Sequence, residues 1–202
     1  MSVSQIKTNY YPSGQIKSQG SVVAKKKEGK WTEYFPGGEI KTMMHYKAGK
    51  LNGVYKTWNK AGVLEVMGEY ENGLKNGIWT YHAKNGYLAE TKTFVNDLLH
   101  GDVVLYNTEV SGQMRGLHIY VNNNCQKSYQ FFPDGRTLEE INYKGDSPLF
   151  ECHGLHTRYY PNGAIYQTCV YADGKKHGLQ ITYSENGDVI ERLTFHKGNN
   201  LK

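Results

Sequence analysis

The chain has 202 residues, enough for one ordinary domain or for a repetitive array that never closes around a single core. Hydrophobic residues make up 38% and mean hydropathy is -0.67. No stretch approaches the roughly 18 uninterrupted apolar residues of a spanning helix, so a membrane-spanning protein is excluded and a soluble chain is expected. The net charge of +5 is uneven: residues 1–60 carry 11 Lys against 3 Glu and no Arg, a balance of +8 that leaves -3 for the remainder.

Taken from the start, Met1-Ser2-Val3-Ser4-Gln5 has neither an apolar run nor a small-residue cleavage site, so no secretory signal is expected. Three cysteines, Cys125, Cys152 and Cys169, are an odd set that does not suit a disulfide framework. A reducing, cytoplasmic location follows as an expectation. Glycine, at 23 residues, exceeds the usual share of roughly 7%, and 17 Tyr accompany only 5 Pro. Such a composition predicts many turns and aromatic-bearing strands.

The glycines are periodic. Gly14, Gly38, Gly62, Gly86, Gly112, Gly135, Gly163 and Gly187 follow at intervals of 24, 24, 24, 26, 23, 28 and 24 residues. Each closes a turn-like run such as Pro12-Ser13-Gly14, Pro36-Gly37-Gly38, Lys84-Asn85-Gly86 or Pro133-Asp134-Gly135, and eight hairpin turns with positive φ at glycine are predicted. A second series, Gly29, Gly53, Gly77, Gly101, Gly154 and Gly178, falls between them. It lapses at Lys127, predicting an irregular connection near 121–128, and the longer interval after Gly135 predicts a surface loop over Gly145-Asp146-Ser147-Pro148-Leu149-Phe150-Glu151-Cys152.

Side chains keep the same register. A ring stands four residues before most turn glycines, as in Tyr10, Tyr34, Trp58, His82, Phe131, Tyr159 and Tyr183, and is assigned to packing. Two residues after the glycine come Ile16, Ile40, Leu64, Leu88, Met114, Ile165 and Val189, and eight after it Val22, Tyr46, Tyr70, Phe94, Tyr120, Tyr143, Tyr171 and Phe195. The even separation of these columns predicts one shared apolar face. Each unit of about 24 residues offers two short strands, too few to bury its own apolar side, so the expected fold is all-β: an elongated, curved, single antiparallel sheet of about eight repeated hairpins with open ends.

Gly29-Lys-Trp-Thr-Glu-Tyr-Phe-Pro-Gly-Gly38, Asn52-Gly-Val-Tyr-Lys-Thr-Trp58, Asn72-Gly-Leu-Lys-Asn-Gly-Ile-Trp79 and His153-Gly-Leu-His-Thr-Arg-Tyr-Tyr-Pro-Asn-Gly163 resemble the MORN-variant repeat, the form found in bacterial YwqK-type antitoxin proteins. The resemblance covers nearly the whole chain, roughly residues 9–198, and implies one repeat domain across 1–202. It implies a protein-binding scaffold, in that family an antitoxin or immunity partner of a toxic protein. The broader family's name, membrane occupation and recognition nexus, implies a lipid-binding alternative.

No nucleophile elbow, phosphate-binding glycine loop or His-Glu-x-x-His pattern is present, and the glycines are explained by their period, so an enzyme is not expected. Cys152-His153-Gly154-Leu155-His156, with Cys125, Cys169 or His177, has zinc-ligand chemistry. Against it, His153, His177 and His100 share a repeat slot with Asn52 and Asn76, which marks them as turn residues, and Cys169 falls in an inward column with Met44 and Ile141. Neither metal nor cofactor is expected, and Cys125, in the irregular connection, is the likeliest reactive thiol. The candidate partner-binding residues are basic Lys25, Lys26, Lys27 and Lys30 together with Trp31, Tyr55 and Trp79. The basic run suits a protein partner of unknown identity or an anionic membrane surface, whereas absence of Arg from this part makes nucleic acid a poor fit. Trp31, Tyr55 and Trp79 stand three residues before the ring column. This odd step makes them an exposed aromatic stripe unless a bulge rotates them inward, leaving Tyr46, Tyr70 and Phe94 to the packed side.

Overall fold

The structure, a computed structural model, describes residues 3–146 and 150–201. Those residues form seventeen strands and no helix: β1 (Gln5–Tyr10), β2 (Ile16–Val23), β3 (Lys26–Tyr34), β4 (Ile40–Lys47), β5 (Lys50–Trp58), β6 (Leu64–Glu71), β7 (Leu74–His82), β8 (Leu88–Val95), β9 (Leu98–Tyr106), β10 (Met114–Val121), β11 (Asn124–Phe131), β12 (Thr137–Tyr143), β13 (Cys152–Tyr159), β14 (Ile165–Ala172), β15 (Lys175–Tyr183), β16 (Val189–His196) and β17 (Asn199–Leu201). The fold is all-β and built of antiparallel hairpins, as the glycine period predicts. Contacts divide the chain into two units, Met1–Leu98 with Thr108–Ser111, and Leu99–Asn107 with Gly112–Lys202. In the first unit β1 to β8 pair in sequence order, and in the second β9 to β17 do the same.

Two kinds of turn alternate. The eight predicted glycines all have positive φ, from 76° at Gly112 to 95° at Gly38. At the first of these turns Tyr11 N donates to Gln15 O over 2.8 Å and Gly14 N to Tyr11 O over 2.9 Å, a pattern repeated at Phe35, Asn59, Ala83, Phe132, Tyr160 and Ser184. The longer turn before Gly112 closes through Asn107 N and Gln113 O, 2.7 Å apart. The other turns have two central residues, both at positive φ, as in Ala24-Lys25 (48° and 64°), Asn72-Gly73 (54° and 93°) and Asn122-Asn123 (49° and 68°). This is the type I′ geometry whose twist suits a hairpin.

The second glycine series is therefore not at the turns. Gly29, Gly53, Gly77, Gly101, Gly154 and Gly178 lie inside strands, again at positive φ, where the register slips. Between β2 and β3, Gly20 faces Trp31 while Ser21 faces Glu28; between β4 and β5, Met44 faces Tyr55 while Tyr46 faces Leu51. Asn52, Asn76, His100, His153 and His177 stand just before these glycines, so they are strand residues beside a bulge, not turn residues. Lys127 removes the glycine from β11, and there the slip shrinks to one residue: Ile119 faces Lys127 and Tyr120 faces Cys125. The connection expected to be irregular is otherwise an ordinary two-residue turn at Asn122-Asn123. The second expected irregularity is a loop closed by a 2.9 Å bond from Lys144 N to Glu151 O, with Phe150 edge-on to Tyr143 and Tyr120; its Ser147, Pro148 and Leu149 lie outside the described residues.

A further slip follows each glycine turn, and it overturns the expectation of one shared apolar face. Tyr34 pairs with Ile40 but Glu33 with Thr42, so Lys41 is extra, and the same step recurs from Tyr10 and Ile16 to Tyr183 and Val189. One inserted residue reverses the alternation. Thr42 and Met44 are buried at 5% and 6% exposure, whereas Ile40 is 41% exposed, and Ile16, Met114, Ile165 and Val189 are similarly open. The ring column goes with them, half-buried from Tyr34 onward and exposed at Tyr10.

Candidate interaction surface

Directly opposed residues share a face of a sheet, and the pairings of the first unit align Gly20, Trp31, Met44, Tyr55 and Gly68 across β2 to β6. Trp79 of β7 lies over Gly68. Trp31 and Trp79 are 2% and 1% exposed, the largest fully buried side chains among the described residues. This corrects the expectation of an exposed aromatic stripe. The odd step does separate Trp31 from Tyr34, but the buried side is that of Trp31, because the slip after each turn puts the ring column on the opposite side. Each indole lies on a glycine, so that a Cβ on Gly20 or Gly68 would fall within 3 Å of its ring. The indole N–H groups reach backbone carbonyls, Trp31 donating to Ser21 O over 2.8 Å and Trp79 to Glu69 O over 3.2 Å. Tyr55, Tyr70 and Phe94 surround Trp79 at ring separations of 5.7, 5.0 and 6.3 Å, which places Tyr46, Tyr70 and Phe94 on the packed side as expected. Burial is the first cause raising the phenol pKa of Tyr55 and of Tyr70.

The four candidate lysines divide. Lys25, at the tip of a type I′ turn, Lys26 and Lys30 are exposed. Lys27 is half-buried, with Nζ 4.4 Å from the Trp31 ring centroid and 4.7 Å from that of Tyr46, the place Lys75 takes 4.4 Å over Trp79. A cation over an indole is an attractive packing element and here caps the core. Lys25 and Lys27 also border an open cavity of about 640 Å³ beside β1, with Lys7, Asn9, Val22 and Trp31. Lys7 escaped the candidate set; its signal was its slot, since it stands 24 residues before Trp31, in the position where β3, β5 and β7 have the rings Trp31, Tyr55 and Trp79.

Five segments, 6–23, 27–48, 51–72, 153–173 and 176–197, match the model of the MORN repeat variant, together about half of the chain. The chain belongs to the MORN repeat-variant family. No curated protein matches it. Among solved structures, that of the Photorhabdus luminescens Tc holotoxin pore is 11% identical with a TM-score of 0.25, covering 90% of this chain and 12% of that one. Between the matched segments, β7 to β12 keep the strands and turns of the MORN-variant repeats.

The second unit of the MORN array uses other chemistry in the same slots. His156 and Gln180 take the place of the tryptophans, and Cys125 and Cys152 that of Lys27 and Lys75. All three cysteines are free; Cys125 and Cys169 are 4% exposed. Burial raises each thiol pKa, which corrects the expectation that Cys125 is the reactive one and agrees with Cys169 as a small buried hydrophobe. His156 is engaged elsewhere: its Nε2 lies 2.9 Å from Glu139 Oε1, and Arg158 Nε donates to the same oxygen over 2.6 Å. Burial would lift the Glu139 pKa, yet the two hydrogen bonds and positive charges hold the carboxyl below its ordinary range. Among the described residues no group of three or more His, Cys, Asp or Glu is placed to hold a metal.

Proposed function

We propose that this MORN-variant array is a non-enzymatic protein-binding scaffold, acting in the cytoplasm as the antitoxin- or immunity-like partner of a toxic protein. The observation that carries the reading is the amount of apolar surface left open. Among the described residues, strands within each unit pack mainly on their sequence neighbours, and Ile78 (65% exposed), Leu155 (49%) and Leu179 (42%) stand outward from strand centres. Exposed apolar side chains on a rigid ladder suit a protein partner, because association removes them from water. Affinity capture from the native host, then titration calorimetry with the purified partner, tests this. A one-to-one complex whose toxicity is relieved on co-expression is the expected result; purified candidates that give no heat and no relief of toxicity sink it.

Exposed Lys25, Lys26 and Lys30 favour one competing reading, a peripheral protein on anionic lipid. Co-sedimentation with phosphatidylserine vesicles separates the two. Salt-sensitive pelleting lost in a Lys25→Glu, Lys26→Glu, Lys30→Glu variant would favour the membrane.

A further inference from the structure

The two buried tryptophans are internal controls for each other. Residues 48 positions apart occupy equal places: Gly20 and Gly68, Lys27 and Lys75, Trp31 and Trp79, Tyr46 and Phe94. Around Trp79 the set is completed by Tyr55, tilted 33° against the indole, and by Tyr70, edge-on at 85°. Their counterparts beside Trp31 are Lys7 and Val22. Lys7 faces Gly20 directly, as Tyr55 faces Gly68. Two rings are therefore missing next to Trp31, and that is where the cavity of about 640 Å³ opens, lined by Lys7, Val22, Lys25, Lys27 and Trp31 among others and by no carboxylate.

We propose that this cavity anchors an acidic, aromatic-bearing segment of a protein partner, whose ring fills the place that Tyr55 and Tyr70 fill around Trp79. The proposal rests on the protein-binding reading and names the chemistry of the partner. Val22 and the lysine stems, backed by the buried indole, give the ring an apolar seat. Lys7 and Lys25 meet the flanking carboxylates in charge-assisted bonds. A basic apolar cavity selects against a neutral or cationic segment, which would leave amines without counter-charges.

The test is fluorescence anisotropy with a dye-linked peptide Asp-Tyr-Glu-Tyr-Asp, against its Tyr→Ala form and its amide form Asn-Tyr-Gln-Tyr-Asn. Saturable binding is expected, weakened roughly tenfold by either change to the peptide or by Lys7→Glu, as for loss of one anchor or one ion pair. Lys7→Tyr supplies the missing ring from within. It should abolish binding while raising the thermal midpoint by roughly 2–8 °C, which separates a filled cavity from an unfolded protein. Equal binding of the Ala form, indifference to Lys7→Tyr, or no binding at millimolar peptide overturns the proposal. So does phosphatidylserine-vesicle binding that depends on Lys7 and Lys25 when the peptide does not bind. A purified partner that binds the Lys7→Tyr variant as tightly as the native chain would leave the scaffold reading standing and this site refuted.

Discussion

Replacing Gly68 with alanine puts the central packing argument at risk. The added methyl would lie 2.6 Å from Trp79 Cγ and nearer still to two other ring atoms, so the indole must move. It has nowhere to go: Lys75 Nζ sits 4.4 Å above it, Tyr55, Tyr70 and Phe94 flank it, and its N–H is held by Glu69 O. Overpacking typically costs about 1–3 kcal/mol, and tilting the ring off its carbonyl adds about 1 kcal/mol, so a loss near 3 kcal/mol is expected. Gly20→Ala makes the same collision with Trp31, but the cavity beside Lys7 and Val22 lets that ring shift. Its loss should be about 1 kcal/mol. Urea titrations followed by circular dichroism give the two midpoints, and amide exchange in β2–β3 and β6–β7 reads each hairpin separately, since repeat arrays open locally. Equal losses, or an unchanged midpoint for Gly68→Ala, would refute the account of a ring seated on a glycine.

Three other expectations follow from the same geometry. Trp79→Ala should cost about 3–5 kcal/mol while leaving partner affinity of the folded fraction unchanged; a partner-affinity loss at native stability would instead make the indole a contact residue. Gly86→Val should cost about 1–3 kcal/mol, chiefly through backbone strain at φ 86°, because among the described residues a Cβ there meets Val63 Cγ1 at an ordinary 3.6 Å; an unchanged denaturation midpoint contradicts this. Glu139 has a depressed pKa in the folded state, so its contribution is present above the ordinary carboxylate range and is lost as pH falls through the folded value. Thermal midpoints measured from about pH 7 to about pH 3 should therefore fall less steeply in Glu139→Gln than in the native chain; identical acid limbs would rule Glu139 out as a cause.

The period of the glycines was enough to read the hairpins, because positive φ leaves a mark on composition wherever it is required. Assigning faces failed for a definite reason. An alternation rule carries parity along a strand only while the register holds, and each repeat here slips twice, once after the turn at residues such as Lys41 and once, in the neighbouring strand pairing, near glycines such as Gly29. Neither slip changes the residue period, so counting glycines could not reveal them. The type I′ turns were missed for a related reason: Ala24-Lys25 and Asn122-Asn123 take positive φ without glycine, whereas Gly29 and Gly53 advertise turns that are really bulges. Of the candidate surface, Lys25, Lys26 and Lys30 were placed outside by charge, while Trp31 and Trp79 were misplaced by parity.

One sequence signal did encode the core. Gly20 and Gly68 belong to neither periodic series, and each stands 11 residues before a tryptophan. An indole can lie flat against a strand only where the facing residue has no Cβ, so an in-strand glycine opposite a tryptophan specifies both the face and the orientation of the ring. Where the facing slot holds Met44 instead, the neighbouring ring is the smaller Tyr55, which meets Tyr70 edge-on at 5.4 Å. Side-chain volume thus alternates along the row, and the alternation is complete from Gly20 to Trp79. At β1 the next ring in the series is replaced by Lys7, and a charge cannot close a stack of aromatics without desolvation. The series of rings therefore ends at Trp31, beside an open, positively charged cavity.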